Sequence, residues 1–447
     1  MLQRHEHLSA ADAAWLRMDA PANRMIITAL LTFDGRLDPI AFEHTLHRLA
    51  ELPRFKERVV PPRNPFGLPG WEDDPRFDLR AHVHHVALPA PGGDAELRQF
   101  VSERMSADLD RQKPLWEVDL VECPGRSAIL LRVHHCIGDG VALVRVLLDL
   151  AEEPAGRPAD TGLLPEAPRS PWEWARRQLA RGRTFAGLVA LPSDPPTCLR
   201  RPLGLVKRVA WSRAIPFTQV HRLAREHRAS MNDVVMAALA GALRRWLDHT
   251  GSLPPREIRA VVPVFLRGGE TGARNRFGLA FVDLPIDEPD RDDRIHKVKR
   301  RMDSIKCSPA VPVAFDVLRT FAVAGPSVEQ LGVELFTRKA SLMVTNVPGP
   351  RSQLQLAGRR LASLMLWAPT SGRLGLSVTI LGYAGEIRIS VAADCSLPLE
   401  PEALIEDVER ELEDGAAAAR ALSRERAGTR DSGSRRSMDI PWSPGSA

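Results

Sequence analysis

Residues 130–144 read "LLRVHHCIGDGVALV": an apolar strand that ends in two histidines, a Gly-Asp-Gly turn, and a fresh apolar helix. Neighbouring residues on a strand point to opposite faces, so His134 and His135 cannot readily serve one metal ion. No third ligand stands at a familiar spacing, and no metal site is expected. One imidazole can face a cleft while the other is held in packing. The glycines allow a sharp bend, and Asp139 is placed to cap the helix that follows. Taken alone, the stretch supports two readings: two core histidines beside a helix cap, or a reactive imidazole at a strand end.

The same strand-and-helix texture extends outward from it. "LSAADAAWLRM" opens with a capping signal, Ser9 followed by Asp12. "MIITALLTFDG" (25–35) is β-rich and ends in Asp-Gly, and "DPIAFEHTLHRLAEL" puts Phe42, Leu46 and Leu49 on one helical face. "DLRAHVHHVALP" reads as a strand, "DAELRQFVSERMSADL" as a helix, and "LWEVDLVE" and "SAILLRVHH" as strands. The second half repeats the pattern. "FTQVHRLAREHR" and "SMNDVVMAALAGALRRWL" have helical spacing; "IRAVVPVFLR", "FGLAFVDLPI" and "ASLMVTNV" are strand-like. "LGLSVTILGYAGEIRISVAAD" alternates as a hairpin, and a helix is expected from Pro401 to about Leu422. The mixture argues an α/β (α+β sandwich) fold rather than a strictly doubly wound sheet.

A chain of 447 residues is long enough for two domains. The expected division is 1–152, a helical crossover over 153–203, a second domain over 204–422, and a tail over 423–447 too poor in apolar residues to order itself. With 61 basic against 56 acidic residues the net charge is only +5, too balanced to argue for nucleic acid. Cys123, Cys136, Cys198, Cys307 and Cys395 are scattered and odd in number, which fits a reducing cytoplasm. "VVMAALAGAL", from Val234, is about half of what spans a bilayer. Within the crossover, "SPWEWARRQLARGRTF" opens with cap-Pro-Glu at Ser170, Pro171 and Glu173. It carries Trp172, Trp174 and Phe185 beside Arg176, Arg177, Arg181 and Arg183. A structural link between domains is the main reading; a helix lying on a membrane or lipid-droplet surface is the alternative.

"HHCIGDG" resembles the HHxxxDG signature of the CoA-dependent acyltransferase superfamily, shared by chloramphenicol acetyltransferase, carnitine acyltransferases and peptide-synthetase condensation domains. Within it, the chain looks most like the bacterial wax ester synthase/diacylglycerol acyltransferase family. "PLWEVDL" at Pro114, "NDVVMAALAGALRRWL" at Asn232, "TNVPGP" at Thr345 and the opening "LSAADAAWLRMD" resemble that family's further motifs, in the same order.

The resemblance implies two chloramphenicol-acetyltransferase-like domains whose interface forms a central tunnel. Acyl-CoA enters from one end and a hydroxyl lipid acceptor from the other, with no separate cofactor. It implies that His135 is the general base, that His134 packs and orients, and that Asp139 and Gly140 are structural. Arg58 is the candidate partner of Asp139. Asn232 and Asp233 either line the tunnel or simply begin a helix, since Ser230 to Asp233 is itself a capping box. Thr370 or Ser371 in "APTSG" is a candidate oxyanion donor, with a plain polar loop as the other reading. The arginines of "RGGETGARNR" (267–276) either meet CoA phosphates or face solvent. The expected product is triacylglycerol or wax ester. Condensation of carrier-bound thioesters, natural-product acylation and a non-catalytic lipid binder on the same fold remain as rivals.

Overall fold

The computed structural model describes residues 6–62, 67–152, 171–254, 256–265, 277–306, 313–314, 326–370 and 372–415. Its first half runs β1 (Glu6–His7), α1 (Ala10–Met18), β2 (Ile26–Phe33), α2 (Pro39–Ala50), β3 (Glu57–Val60), β4 (Gly70–Asp73) and β5 (Val83–Ala87). Next come α3 (Asp94–Met105), β6 (Trp116–Cys123), β7 (Arg126–His134), α4 (Gly140–Leu150) and α5 (Pro171–Ala190). The second half begins with β8 (Lys207–Trp211), β9 (Ile215–Pro216), α6 (Phe217–Glu226), α7 (Met231–His249), β10 (Ile258–Phe265) and β11 (Phe277–Leu284). It continues through α8 (Arg291–Lys306), α9 (Pro326–Thr337), β12 (Leu342–Pro348), β13 (Gln355–Leu356), β14 (Arg359–Trp367), β15 (Leu376–Tyr383) and β16 (Glu386–Asp394). A last helix, α10, covers residues 401–415.

Local chemistry sets these boundaries. Ser9 accepts the Asp12 N–H and starts α1. Asp38 accepts the Ala41 N–H, with Pro39 in the first turn of α2. Ser230 and Asp233 exchange hydrogen bonds in a full capping box at the start of α7. Between β15 and β16, Ala384 and Gly385 both take positive φ (48° and 85°). That pair makes the two-residue turn whose twist matches a hairpin. Helix α7 is buried on nearly every side from Asp233 to Leu243, as a central core helix should be. Among the described residues no helix is long and apolar enough to cross a membrane.

Two large sheets form. The first has the order β13-β14-β2-β7-β6-β5, and the second β11-β10-β12-β15-β16-β8 with β9 also on β16; β1, β4 and β3 make a small third sheet. This corrects the expected division of the chain. Residues 355–367 belong by position to the second domain, yet β14 lies antiparallel to β2, pairing Trp367 with Thr28 and Leu364 with Leu31. The reason is that β14 is apolar on both faces. Leu364 and Leu366 join the first half's core, while Met365 and Trp367 pack with Leu30, Leu130, Val209 and Ala392 in a seam between the two sheets. The Trp367 indole N–H donates to the Val391 carbonyl across that seam at 3.0 Å.

Other expectations fare unevenly. The strand expected over "DLRAHVHHVALP" begins with a short 3-10 turn (Leu79–His82), and only Val83–Ala87 is extended. Helix α10 is described to residue 415; the rest of the helix expected to Leu422, the tail, residues 153–170 and the loop 267–276 lie outside the described residues.

Candidate active site

The histidines sit where β7 meets the beginnings of its two neighbours. The His134 N–H donates to the Leu115 carbonyl at 2.9 Å, just before β6, and the His135 N–H to the Met25 carbonyl at 2.7 Å, just before β2. Both rings are buried, at 2% and 7% exposure. The Cys136 N–H donates to His134 Nδ1 at 3.1 Å, so the proton of the neutral ring resides on Nε2. That nitrogen lies 3.7 Å from an Asp19 carboxylate oxygen. Asp19 is fixed in turn by Arg111 at 2.6 Å and by the Met25 N–H at 2.8 Å. Burial works to raise the Asp19 carboxyl, but His134, the Met25 N–H and Arg111 outweigh it and hold it below the usual range. The His134 ring is thus held between the Cys136 N–H and Asp19.

His135 has a different setting. Its ring stacks on Trp15 of α1, centroids 4.3 Å apart at 24°. Burial pushes its pKa down to about 3; its own backbone carbonyl opposes that shift, and His134 adds to it. The imidazole is neutral throughout the physiological range.

Asp139 caps α4, its carboxylate accepting the Ala142 N–H at 2.8 Å. Burial raises its pKa to about 6, against the Ala142 and Val141 N–H groups and Arg145. The Arg58 partnership is corrected: Arg58, on β3, faces Glu72 of β4 at 3.7 Å. An arginine on the small sheet already has a carboxylate across its own ladder. The glycines of the turn act otherwise than by a left-handed bend, since neither takes positive φ. A Cβ on Gly138 would lie 3.0 Å from that of Ala142, a tight approach, whereas one on Gly140 would meet Leu366 and Val347 at an ordinary 3.6 Å.

The distant motifs converge here. Val347 of "TNVPGP" reaches Gly140, and its neighbour Asn346 donates from Nδ2 to Asn232 Oδ1 at 3.1 Å. Asp233 is spent on its cap, with one buried carboxylate oxygen left without a hydrogen bond. Thr370 donates its hydroxyl to Asn23 Oδ1 at 3.0 Å, and Asn23 donates to the Gly372 carbonyl at 2.7 Å; Ser371 lies outside the described residues. Asn23 and Thr370 border a small cavity at the seam, lined also by Ile26, Thr28, Lys207 and Ser377; His135 is not among its walls. Thr28 Oγ1 is buried there without a hydrogen bond; Thr345 Oγ1 and Thr379 Oγ1, side by side on β12 and β15 but not among that cavity's walls, are buried without one too. Sequence reasoning missed Asp19, Trp15, Asn23 and these hydroxyls. The only signal was that Trp15 and Asp19 fall inside "LSAADAAWLRMD". Among the described residues no group of three His, Cys, Asp or Glu side chains converges.

This arrangement of two sheets has solved counterparts. A wax ester synthase/diacylglycerol acyltransferase from Marinobacter aquaeolei VT8 aligns over 93% of this chain and 99% of its own, with a TM-score of 0.69 at 24% identity. The first condensation domain of the calcium-dependent antibiotic synthetase aligns over 93% and 96%, at 0.62 and 18%. The fold is therefore chloramphenicol-acetyltransferase-like, two α/β domains in one chain.

Sequence narrows the class. The wax ester synthase/diacylglycerol acyltransferase catalytic domain matches residues 8–190, and the family's C-terminal domain matches residues 273–414. The chain belongs to that family. A Mycobacterium tuberculosis relative, tgs1, provisionally named a diacylglycerol O-acyltransferase, is 28% identical over 96% of this chain and 98% of its own. The protein is an acyltransferase that moves an acyl group onto a hydroxyl, giving triacylglycerol or wax ester.

Proposed function

We propose that the donor is a fatty acyl-CoA, that the acceptor is a diacylglycerol or a long-chain alcohol, and that His135 is the general base, with no cofactor beyond the CoA carried by the substrate. The observation that carries this is the neutral, buried His135 ring held flat against Trp15. A ring nitrogen takes the acceptor's hydroxyl proton as its oxygen bonds to the thioester carbonyl carbon. The tetrahedral intermediate then expels the CoA sulfur, and the same proton passes to the departing thiolate. Since the thioester is already activated, positioning and proton transfer suffice. The Thr370 hydroxyl is already given to Asn23 and so does not support the oxyanion.

The direct test measures CoA release from long-chain acyl-CoA against a panel of alcohols and diacylglycerols. Turnover that requires a hydroxyl acceptor supports the reading. Turnover confined to carrier-bound thioesters would favour a condensation activity, and lipid binding without CoA release a non-catalytic role.

The proposal includes a cytoplasmic enzyme working at a lipid surface. Helix α5 exposes Trp172 at 72% and Leu179 at 66%, with Arg176 and Arg183 exposed on the same helix. Its inner end is anchored, because buried Lys339 donates to the carbonyls of Leu188, Val189 and Leu191. Sedimentation with anionic phospholipid vesicles is expected for the intact protein and should weaken severalfold in a Trp172→Glu, Leu179→Glu variant. Equal sedimentation of both would remove α5 from any lipid contact.

A further inference from the structure

The seam between the two large sheets opens at its far end into a second, polar cavity. The space between its walls is about 890 Å³, with open solvent at its mouth included. Arg98 of α3, Arg126 at the start of β7, Arg213 just after β8 and Arg388 of β16 line it, and Asp94 is the one acidic side chain among the walls. Trp211 belongs to the wall too, with the Arg98 guanidinium over its ring at 5.7 Å.

Three of these guanidiniums have carboxylate partners. Arg126 pairs with Asp94, Arg98 with Glu402 at 3.5 Å, and Arg213 with Glu409 and Glu413. Arg388 does not. Its Nη1 donates to the Ser212 carbonyl at 3.0 Å, and among the described residues no carboxylate stands within ion-pair distance of it. Burial holds this guanidinium below the usual arginine range; Glu386, Asp94 and Glu409 oppose the shift, and Arg126 adds to it. Four like charges gathered against one carboxylate in a partly desolvated recess are unfavourable without a counter-ion. Guanidinium forks match phosphate oxygens, and a phosphate monoester supplies about two negative charges at once.

The cavity is set apart from the histidines. On β2, Thr32 lines it and pairs with Ala128, whereas Ile26 pairs with His134. From Ile26 to Thr32 the strand spans about 20 Å. Between the two places the seam is closed by Leu30, Leu130, Val209, Met365 and Trp367, packed on one another. A phosphate held by Arg388 is therefore not joined through the seam to a thioester at His135. We propose that this cavity binds a phosphate monoester carried by a ligand other than the acyl donor. The bound anion ties α3 of the first half to β16 of the second, and Arg388 is its central contact.

The test titrates the full chain with glycerol phosphate, with glycerol as the uncharged control, and with phosphatidylcholine vesicles with and without phosphatidate. Saturable binding of glycerol phosphate marks a free ligand, and binding of phosphatidate vesicles alone a lipid head group. Either supports the site if Arg388→Gln weakens it at least about tenfold while Arg388→Lys, which keeps the charge but not the fork, weakens it less. Thermal melting reports folding, and Arg126→Gln carries the test if Arg388→Gln does not fold. The KM for acyl-CoA should stay at its wild-type value in these variants. Binding of neither probe, or equal binding by wild type and folded variants, would overturn the proposal. So would a raised KM seen only for acyl-CoA that keeps its ribose phosphate, because the cavity would then belong to the donor.

Discussion

His135 is an imidazole whose surroundings oppose its charged form. Burial is the main cause, and Trp15 covers one face of the ring. The sign of the consequence is fixed. With a folded pKa near 3 and an unfolded value of about 6.5, the unfolded chain binds the extra proton throughout that window. This group therefore withdraws stability as pH falls from about 6.5 towards 3, while above 6.5 it is neutral in both states. The catalytic corollary is that log kcat/KM should show no histidine inflection between pH 5 and 8. Trp15→Ala admits water to the ring and should restore an acid limb with a midpoint nearer 6.5. A flat profile in that folded variant would show that Trp15 does not keep the ring dry. The low basicity is not an obstacle to catalysis. The imidazolium forms only alongside an oxyanion, so the site never holds an isolated buried charge.

At the scale of elements, the motifs prove to be mostly packing devices that bring strand ends together. Gly349 of "TNVPGP" makes the sharpest case, because a Cβ there would lie 2.1 Å from the Gly382 carbonyl oxygen on β15. Gly349→Ala must push two backbones apart and should cost about 1–3 kcal/mol or more, read by denaturant unfolding. Gly140→Ala, whose added carbon meets only ordinary contacts, should cost far less; equal costs would contradict the account. Much at this scale was legible in the sequence. Ser9, Ser230 and Asp139 announced helix starts because capping is local chemistry, and alternation announced the β15–β16 hairpin because its partner lies next in the chain. The crossing of β14 was not legible. Its pattern of Leu364, Met365, Leu366 and Trp367 reports burial on both faces but not the identity of its neighbour. That neighbour, β2, is more than 300 residues away in sequence. The same limit applies to Arg58, whose charge was visible but whose partner is chosen by the β3–β4 ladder, and to Thr370, whose hydroxyl is claimed by Asn23.

For the whole molecule, the residues thought to react were readable from the order of motifs, whereas the walls around them were not. Asp19, Thr28 and Asn23 come from the start of the chain, and Thr345, Thr379 and Thr370 from its last quarter. Of these, Asn23, Thr28 and Thr370 border one cavity at the seam, where the pairing of β14 with β2 brings the two ends of the chain together. The crossing strand makes that seam integral, since its backbone belongs to one sheet while Met365 and Trp367 fill the gap to the other. The account as a whole places proton transfer on a single ring, that of His135. Its most direct test is single-turnover CoA release by His135→Ala beside His134→Ala, with folding confirmed by melting and acceptor in excess. The prediction is a loss of about 10²–10⁴-fold for His135→Ala, the usual worth of a general base. A folded His135→Ala protein that releases CoA at the wild-type rate would contradict it.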